Sequence, residues 1–110
     1  MTWSSTFLFA KKQFDDEFHR LDAIIARAAK DTPGYLGEES WENPATGVVS
    51  NVYYWSSLEA LRALMDHPAH LQAKAAQANW LAGYRVVIAK VMRTYGSGED
   101  LEGVVRFDAA

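Results

Sequence analysis

The sequence predicts an α+β fold in which the order strand, helix, strand occurs twice. Residues 3–9 and 35–41 are rich in β-formers, and the segment between them has the apolar spacing of an amphipathic helix. Residues 48–55 and 84–95 are again β-rich and enclose helical sequence. This is the βαββαβ order of a ferredoxin-like domain, a four-stranded antiparallel sheet with its helices on one face.

Two different periodicities mark the first strand and the first helix. The odd-numbered positions from Trp3 to Phe9 form the more apolar face of a strand. Residues 15–17 are acidic, as a helix N-terminus favours, and Pro33-Gly34 ends the helix. Between these signals, apolar residues spaced by 4, 3, 4 and 3 positions form one helix stripe: Phe14, Phe18, Leu21, Ile25 and Ala28.

The second half begins with a hairpin. Residues 43–47 have the composition of a turn and join the second and third strands. Ser56, with Glu59 three residues further on, is predicted to cap the next helix in a capping box. The apolar face of that helix is predicted to consist of Leu58, Leu61, Leu64 and Met65.

A proline divides the helical sequence before the last strand. Pro68 is predicted to restart the helix at its first position, with Asp66 or His67 as the cap, and helix is expected to continue to Trp80. The last strand, Tyr84–Tyr95, is apolar on both faces, so we expect both faces to be covered. Because the helices cover only one face of the sheet, a second subunit is the simplest cover for the other, which predicts a homodimer.

Composition narrows the range of functions. The net charge is −3 with no basic cluster, which argues against nucleic-acid binding. The absence of cysteine excludes disulfides, thiolate metal sites and cysteine nucleophiles. The apolar run Phe7–Ala10 is too short for a signal or membrane segment, so we expect a cytoplasmic protein without a membrane partner. Four Trp, five Tyr and five Phe in 110 residues are many, and we expect some to line a pocket or interface.

The chain divides into one domain and a tail. Residues 1–96 are predicted to form the domain, and residues 97–110 the C-terminal tail. Residues 96–100 read as a flexible acidic linker. Two alternatives stay open for the segment Val104–Phe107: it docks as a short strand, in which case the partner subunit is a candidate surface, or it is loose.

Several motifs in a fixed order resemble the antibiotic-biosynthesis-monooxygenase (ABM) family of dimeric α+β barrels. The resemblance spans about residues 7–96. It implies a homodimer whose two sheets face each other around a barrel. Members of the family include cofactor-independent oxygenases of aromatic polyketides and haem-degrading enzymes. The matching pieces are Pro33–Gly37, Tyr54–Ala60, His67–His70, Trp80 with Tyr84, and Tyr95-Gly96.

The chain departs from the haem-degrading members at three places. Leu64 stands where those relatives carry a tryptophan, and Lys74 where they carry a histidine. Their first-strand asparagine has no counterpart, because residues 3–10 contain no Asn. These differences weaken the haem interpretation.

The candidate site residues are one histidine and four aromatic side chains. His70 is predicted to be the catalytic polar group, with metal binding and plain packing as alternatives. His67 reads as a helix cap. The predicted substrate-binding walls, for each of which core packing is the alternative, are Trp55, Trp80, Tyr84 and Tyr53.

These observations predict a monooxygenase of the ABM type that acts on an aromatic or apolar small molecule in a barrel cavity. We expect no metal site, and no cofactor is evident in the motifs. The alternatives are a haem-binding or haem-degrading monooxygenase with altered ligands, and a non-catalytic dimer that binds a small ligand. The sequence has no nucleophile elbow, glycine-rich phosphate loop or dinucleotide fingerprint.

Overall fold

A computed structural model describes residues 1–97 and 101–106 of the chain. The order of elements is the predicted βαββαβ, with the second helical connection split in two, so the α+β ferredoxin-like prediction is confirmed. The predicted linker residues 98–100 and the predicted docking residue Phe107 lie outside the described residues. The elements are β1 (Thr2–Lys11), α1 (Asp16–Asp31), β2 (Tyr35–Glu42), β3 (Val49–Trp55), α2 (Leu58–Met65), α3 (Pro68–Ala76), a 3-10 turn (Gln77–Asn79) and β4 (Leu81–Val91).

The four strands form one antiparallel sheet in the order β2-β3-β1-β4. The ladder pairs Trp3 with Trp55, and Phe9 with both Val49 and Tyr84. Because side chains alternate between the two faces of a strand, these paired residues share the face on which the helices pack. We call the opposite face the open face.

Two clusters of buried side chains join the helices to the sheet. Ile25 on α1 packs against both clusters and so connects them. The first cluster consists of Phe9, Leu21, Ala69, Trp80 and Leu81. The second consists of Ala29, Trp55, Ala60, Leu61 and Leu64.

Glycine is required at the turn between α1 and β2. Gly34 has a φ of +100°, and a Cβ there would lie 2.8 Å from the Cβ of Ala60. Its carbonyl accepts a hydrogen bond from the backbone N–H of Ser56 at 2.8 Å. The Pro33-Gly34 signal therefore ends α1 and brings β2 close to the start of α2.

The predicted cap of α2 was off by one residue. The side chain of Ser57, not Ser56, accepts the hydrogen bond from the backbone N–H of Ala60 at 3.1 Å. With Ser57 as the cap, the residue three positions on is Ala60, so Glu59 cannot complete a capping box. The backbone N–H of Ser56 is instead held by Gly34.

The last strand begins earlier and ends earlier than predicted. It runs from Leu81 to Val91, whereas the sequence predicted Tyr84–Tyr95. The limits are set by β1: Lys11 pairs with Leu81 across a register shift, and Thr2 pairs with Val91. Beyond Val91 no residue of β1 remains to continue the ladder.

Beyond the buried Leu81, β4 is uncovered on both faces within the single chain. On the helix side Tyr84, Val86 and Ile88 are 48%, 49% and 44% exposed, and on the open face Val87 is 42% exposed. Among its neighbouring elements, β4 contacts chiefly β1 and the 3-10 turn. An edge strand with exposed apolar side chains is the kind of surface on which another chain can pack.

Candidate functional site

Helix α3 places both of the histidines that the sequence singled out. Pro68 occupies the first turn, and the Nδ1 of His67 accepts a hydrogen bond from the backbone N–H of Ala69 at 3.1 Å. The cap prediction for His67 is confirmed, and its imidazole is committed to this bond. His70 lies one turn further along α3.

The imidazole of His70 is half-buried and incompletely paired. Its Nδ1 is shielded from solvent and has no hydrogen-bond partner among the described residues. Burial lowers the pKa of His70, and the nearby charges of Lys74 and His67 lower it further, while the backbone of Met65 opposes them. At neutral pH the ring is therefore uncharged and can accept a hydrogen bond.

Trp80 contributes a second unpaired polar atom. The residue is 4% exposed, and its Nε1 has no hydrogen-bond partner in the described part of the chain. Its ring meets the ring of Phe18 edge-on, with centroids 5.5 Å apart. An indole N–H is a donor only, so Trp80 can be satisfied only by a group that accepts a hydrogen bond.

Tyr84 lies at the rim of the Trp80 cluster. Its ring is tilted against Phe7 with centroids 5.8 Å apart, and Phe7 in turn stacks on Phe9 at 5.0 Å. Phe9 belongs to the same buried cluster as Trp80. Trp80 and Tyr84 are therefore linked through the phenylalanines of β1. Trp80 is buried, whereas Tyr84 is open to solvent.

Tyr53 and Trp55 form a separate aromatic group in the second cluster. Their rings stack with centroids 6.0 Å apart, and Tyr35 meets Trp55 at 5.9 Å. Trp55 is fully buried, and its indole N–H donates to the Oγ of Ser5 at 3.1 Å. The structure thus divides the four predicted walls into two pairs, and their role in binding a substrate stays a prediction.

A carboxylate lies beside the Tyr53 group. Glu38 is directly opposite Tyr53 in the β2–β3 ladder. Burial raises the pKa of Tyr53 above its ordinary range, and the charge and hydrogen bonding of Glu38 raise it further. Burial likewise raises the pKa of Asp22 on α1, with Glu38 adding to the effect and His19 opposing it. These groups give the second cluster a polar edge.

A shallow surface groove lies elsewhere. It has a volume of about 370 Å³, opens on the outer surface of α1, and includes none of the five predicted site residues. Its residues are Ala23, Ile24, Arg27, Ala28, Asp31 and His67. In the described ranges, no three histidine, aspartate or glutamate side chains are grouped as a metal site would need, and no helix is long and apolar enough to cross a membrane.

No protein-family model matches the chain, and no curated protein matches it either. Solved structures do match. SnoaB, a cofactor-independent oxygenase from Streptomyces nogalater, aligns with a TM-score of 0.70 at 15% identity over 87% of this chain and 98% of SnoaB. Rv0793 from Mycobacterium tuberculosis has a TM-score of 0.66 at 15% identity, over 87% of this chain and 100% of its own.

A third match carries the family designation. It is a candidate antibiotic biosynthesis monooxygenase from Chloroflexus aurantiacus, with a TM-score of 0.60 at 18% identity over 89% of this chain and 100% of that one. The chain has the antibiotic-biosynthesis-monooxygenase fold. The resemblance seen in the motifs is thereby confirmed for the fold, while the reaction is decided by the site rather than by the ABM architecture.

Sequence reasoning missed several residues that the ABM fold brings to the two clusters. Phe18 was seen only as part of a helix stripe, yet it packs against the ring of Trp80. Tyr35 and Glu38 were placed only in the second predicted strand, residues 35–41. The signal that could have found them is the hairpin register, but a register shift between Tyr35 and Gly37 displaces the pairing, so counting back from the turn misplaces Tyr35.

The buried His70 predicts a pH dependence of stability. Its pKa in the folded protein is below the ordinary value of 6.5, so the unfolded chain binds more protons between these two pKa values. The contribution of the neutral His70 to stability is therefore fully present above about pH 6.5. It is lost as the pH falls from there through the folded pKa. Thermal unfolding of the wild type and of His70→Gln across this range measures the effect. We expect a flatter profile for His70→Gln, and identical profiles would contradict the buried, neutral state of His70.

Proposed function

We propose that the protein is a small homodimeric oxygenase of the ABM type that acts on an electron-rich aromatic molecule without a bound cofactor. The observation that carries the proposal is a pair of buried polar atoms without hydrogen-bond partners among the described residues, the Nδ1 of His70 and the donor Nε1 of Trp80, in a fold shared with a cofactor-independent oxygenase. Buried polar atoms without partners are rare in folded proteins, so each favours a ligand that completes it.

The hydrogen-bonding character of the two atoms limits which functional groups a ligand could offer them. In the tautomer with the proton on Nε2, the Nδ1 of His70 needs a hydrogen-bond donor, and an indole N–H needs an acceptor. A hydroxyl group supplies both kinds of atom, whereas an ether supplies only an acceptor. We therefore expect a phenolic or enolic ligand, with His70 positioned to take the hydroxyl proton and make the substrate more electron-rich.

The reaction balances without a protein-bound redox group. The substrate gives up two hydrogens and supplies the electrons, one atom of dioxygen enters the substrate, and the other leaves as water. The aromatic side chains around Trp80 would exclude bulk water, and the indole N–H would stabilise the oxyanion that forms when the hydroxyl ionises. Oxygen uptake by the purified protein with a panel of quinols and phenols tests this, and uptake no faster than that of the panel alone would overturn it.

Haem does not fit this set of residues. Leu64, which the resemblance aligns with a tryptophan of haem-degrading relatives, is buried in the second core cluster, and Lys74 stands where those relatives carry a histidine. We therefore derive no step through haem. Titration with haem tests this independently, because a Soret band that saturates at one haem per chain would support the haem alternative instead.

The proposed assembly is a homodimer that covers β4. Its apolar residues are about half exposed on both faces of the sheet, and an interface of more than roughly 1,000 Å² would bury them. Light scattering at micromolar concentration is expected to give twice the chain mass of 12.3 kDa. Val87→Glu, which places a charge on an exposed position of the open face, should shift the mass toward the monomer. A monomeric wild type would contradict this assembly.

Two histidines three residues apart, His67 and His70, provide an internal comparison for the site. His70→Ala is expected to leave the fold nearly intact and to weaken binding of a hydroxylated aromatic by about 1–3 kcal/mol, because a ligand group loses its buried partner. His67→Ala removes the cap of α3, so it should lower stability by about 0.5–2 kcal/mol and leave binding unchanged. Melting curves and binding isotherms on both variants measure this. If the two behave alike in both assays, His70 has no special role.

A further inference from the structure

The open face of the sheet contains a carboxylate that is buried without any helix above it. Glu39 lies opposite Val52 in the ladder, which places it on the open face, and it is only 8% exposed. Strand β2 is an edge strand, and the three helices pack on the other side of the sheet. A carboxylate on the open side of an edge strand is normally solvated, so the burial of Glu39 calls for neighbours that shield it.

The segment after the predicted linker reaches the same face two residues away, at Gly37. A Cβ built on Gly37 would lie 2.9 Å from both Cγ atoms of Val105, so the methyl groups of Val105 fill the space directly above this glycine. Gly37 also has a φ of +148°, which side chains rarely adopt. Val104 and Val105 are half-buried, whereas Leu101 is 61% exposed. The segment thus contacts the sheet through its valines.

A tyrosine lies next to this contact. Tyr54 lies opposite Gly37 on the same face. Burial raises its pKa to about 12, with hydrogen bonding and charge from Glu39 adding to the effect. Gly37, Glu39 and Tyr54 therefore form one site on the open face, with an apolar notch at the glycine and a sheltered polar pair beside it.

We propose that residues 101–106 form a strap that folds back onto the open face of its own chain, with Val105 seated in the notch at Gly37. Residues 104–106 are not in a strand, so the strap is held by side-chain packing rather than by joining the sheet edge. The strap occupies the β2 end of the open face. In the homodimer proposed above, on which this last step rests, it leaves the uncovered β4 end to the second copy.

A disulfide test distinguishes a strap that docks on its own chain from a strap that docks on the partner chain. The chain has no cysteine, and an ideal Cβ at Gly37 lies 3.5 Å from the Cβ of Val105, within the disulfide range of about 3.5–4.5 Å. The double variant Gly37→Cys with Val105→Cys should oxidise to a linked single chain on a denaturing, non-reducing gel. The matched control, Gly37→Cys with Leu101→Cys, should stay reduced.

A disulfide-linked dimer would show that the strap docks on the partner. A double variant that stays reduced would show that it does not dock at all. Either result overturns the proposal.

Because Gly37→Cys is strained by the backbone angle, the unmodified protein provides a second test. In a sample mixed from isotope-labelled and unlabelled chains, NOEs between Val105 methyls and Gly37 Hα are expected within the labelled chain. NOEs only between chains, or none, would overturn the strap. These readouts do not depend on oxygen uptake, so the proposed activity and the strap can fail separately.

Discussion

Trp55→Ala is expected to lower the free energy of unfolding by about 3–5 kcal/mol, the largest effect of any substitution considered for this domain. Trp55 is fully buried at the end of β3, where α2 begins. Its ring stacks on Tyr53 at 6.0 Å and meets Tyr35 at 5.9 Å, and its indole N–H donates to Ser5. Removing the indole therefore opens a cavity and leaves the Ser5 hydroxyl unpaired.

Trp41 on β2 provides the matched control for Trp55. The same truncation there removes a side chain that is 49% exposed, so we expect a loss under about 1 kcal/mol. Urea unfolding of the two variants and the wild type at one protein concentration measures the difference. Equal losses in the two variants would mean that the second core cluster is not packed around Trp55 as described.

Leu21→Ala is expected to lower the free energy of unfolding by about 2–5 kcal/mol. Leu21 is 2% exposed at the centre of the α1 stripe and packs in the cluster that contains Phe9 and Trp80. Ile24, three residues further along α1, is 38% exposed, so Ile24→Ala should cost much less. A loss under about 0.5 kcal/mol for Leu21→Ala would contradict the packing of α1 on the sheet.

The fold could be predicted from the sequence because each element carries its own local signal. The α1 stripe reproduces the side that the helix buries, since Leu21 and Ile25 both pack on the sheet. The acidic start of α1 supplies the cap, with Asp15 accepting from the backbone N–H of Phe18 at 2.9 Å. His67 before Pro68 is likewise a cap that can be read without tertiary information.

What could not be predicted depends on contacts between distant parts of the chain. The ends of β4 are set by the length of β1, which a local pattern does not contain. Which serine caps α2 depends on the hydrogen bond that Gly34 makes with Ser56. The approach of Val105 to Gly37 joins residues far apart in sequence, and no periodicity indicates it.

The candidate site was predictable in composition but not in arrangement. The motif analysis singled out His70 and Trp80 as polar and aromatic residues near the second helical segment. It did not foresee that Trp55 would be closed off in a different cluster, or that Glu38 would lie opposite Tyr53. Burial and pairing of individual polar atoms are tertiary properties, so they became visible only in the folded chain.

The central claim is that His70 accepts a hydrogen bond from a hydroxyl group of the ligand. Nitrogen-15 NMR of the imidazole tests it most directly, with whichever phenol in the panel first raises the melting temperature and its methyl ether as the control. We predict that the Nδ1 resonance of His70 shifts in proportion to bound phenol and does not shift with the ether, while the His67 signals stay unchanged. If the phenol raises the melting temperature and the His70 resonances do not move, the ligand binds elsewhere and the claim is contradicted.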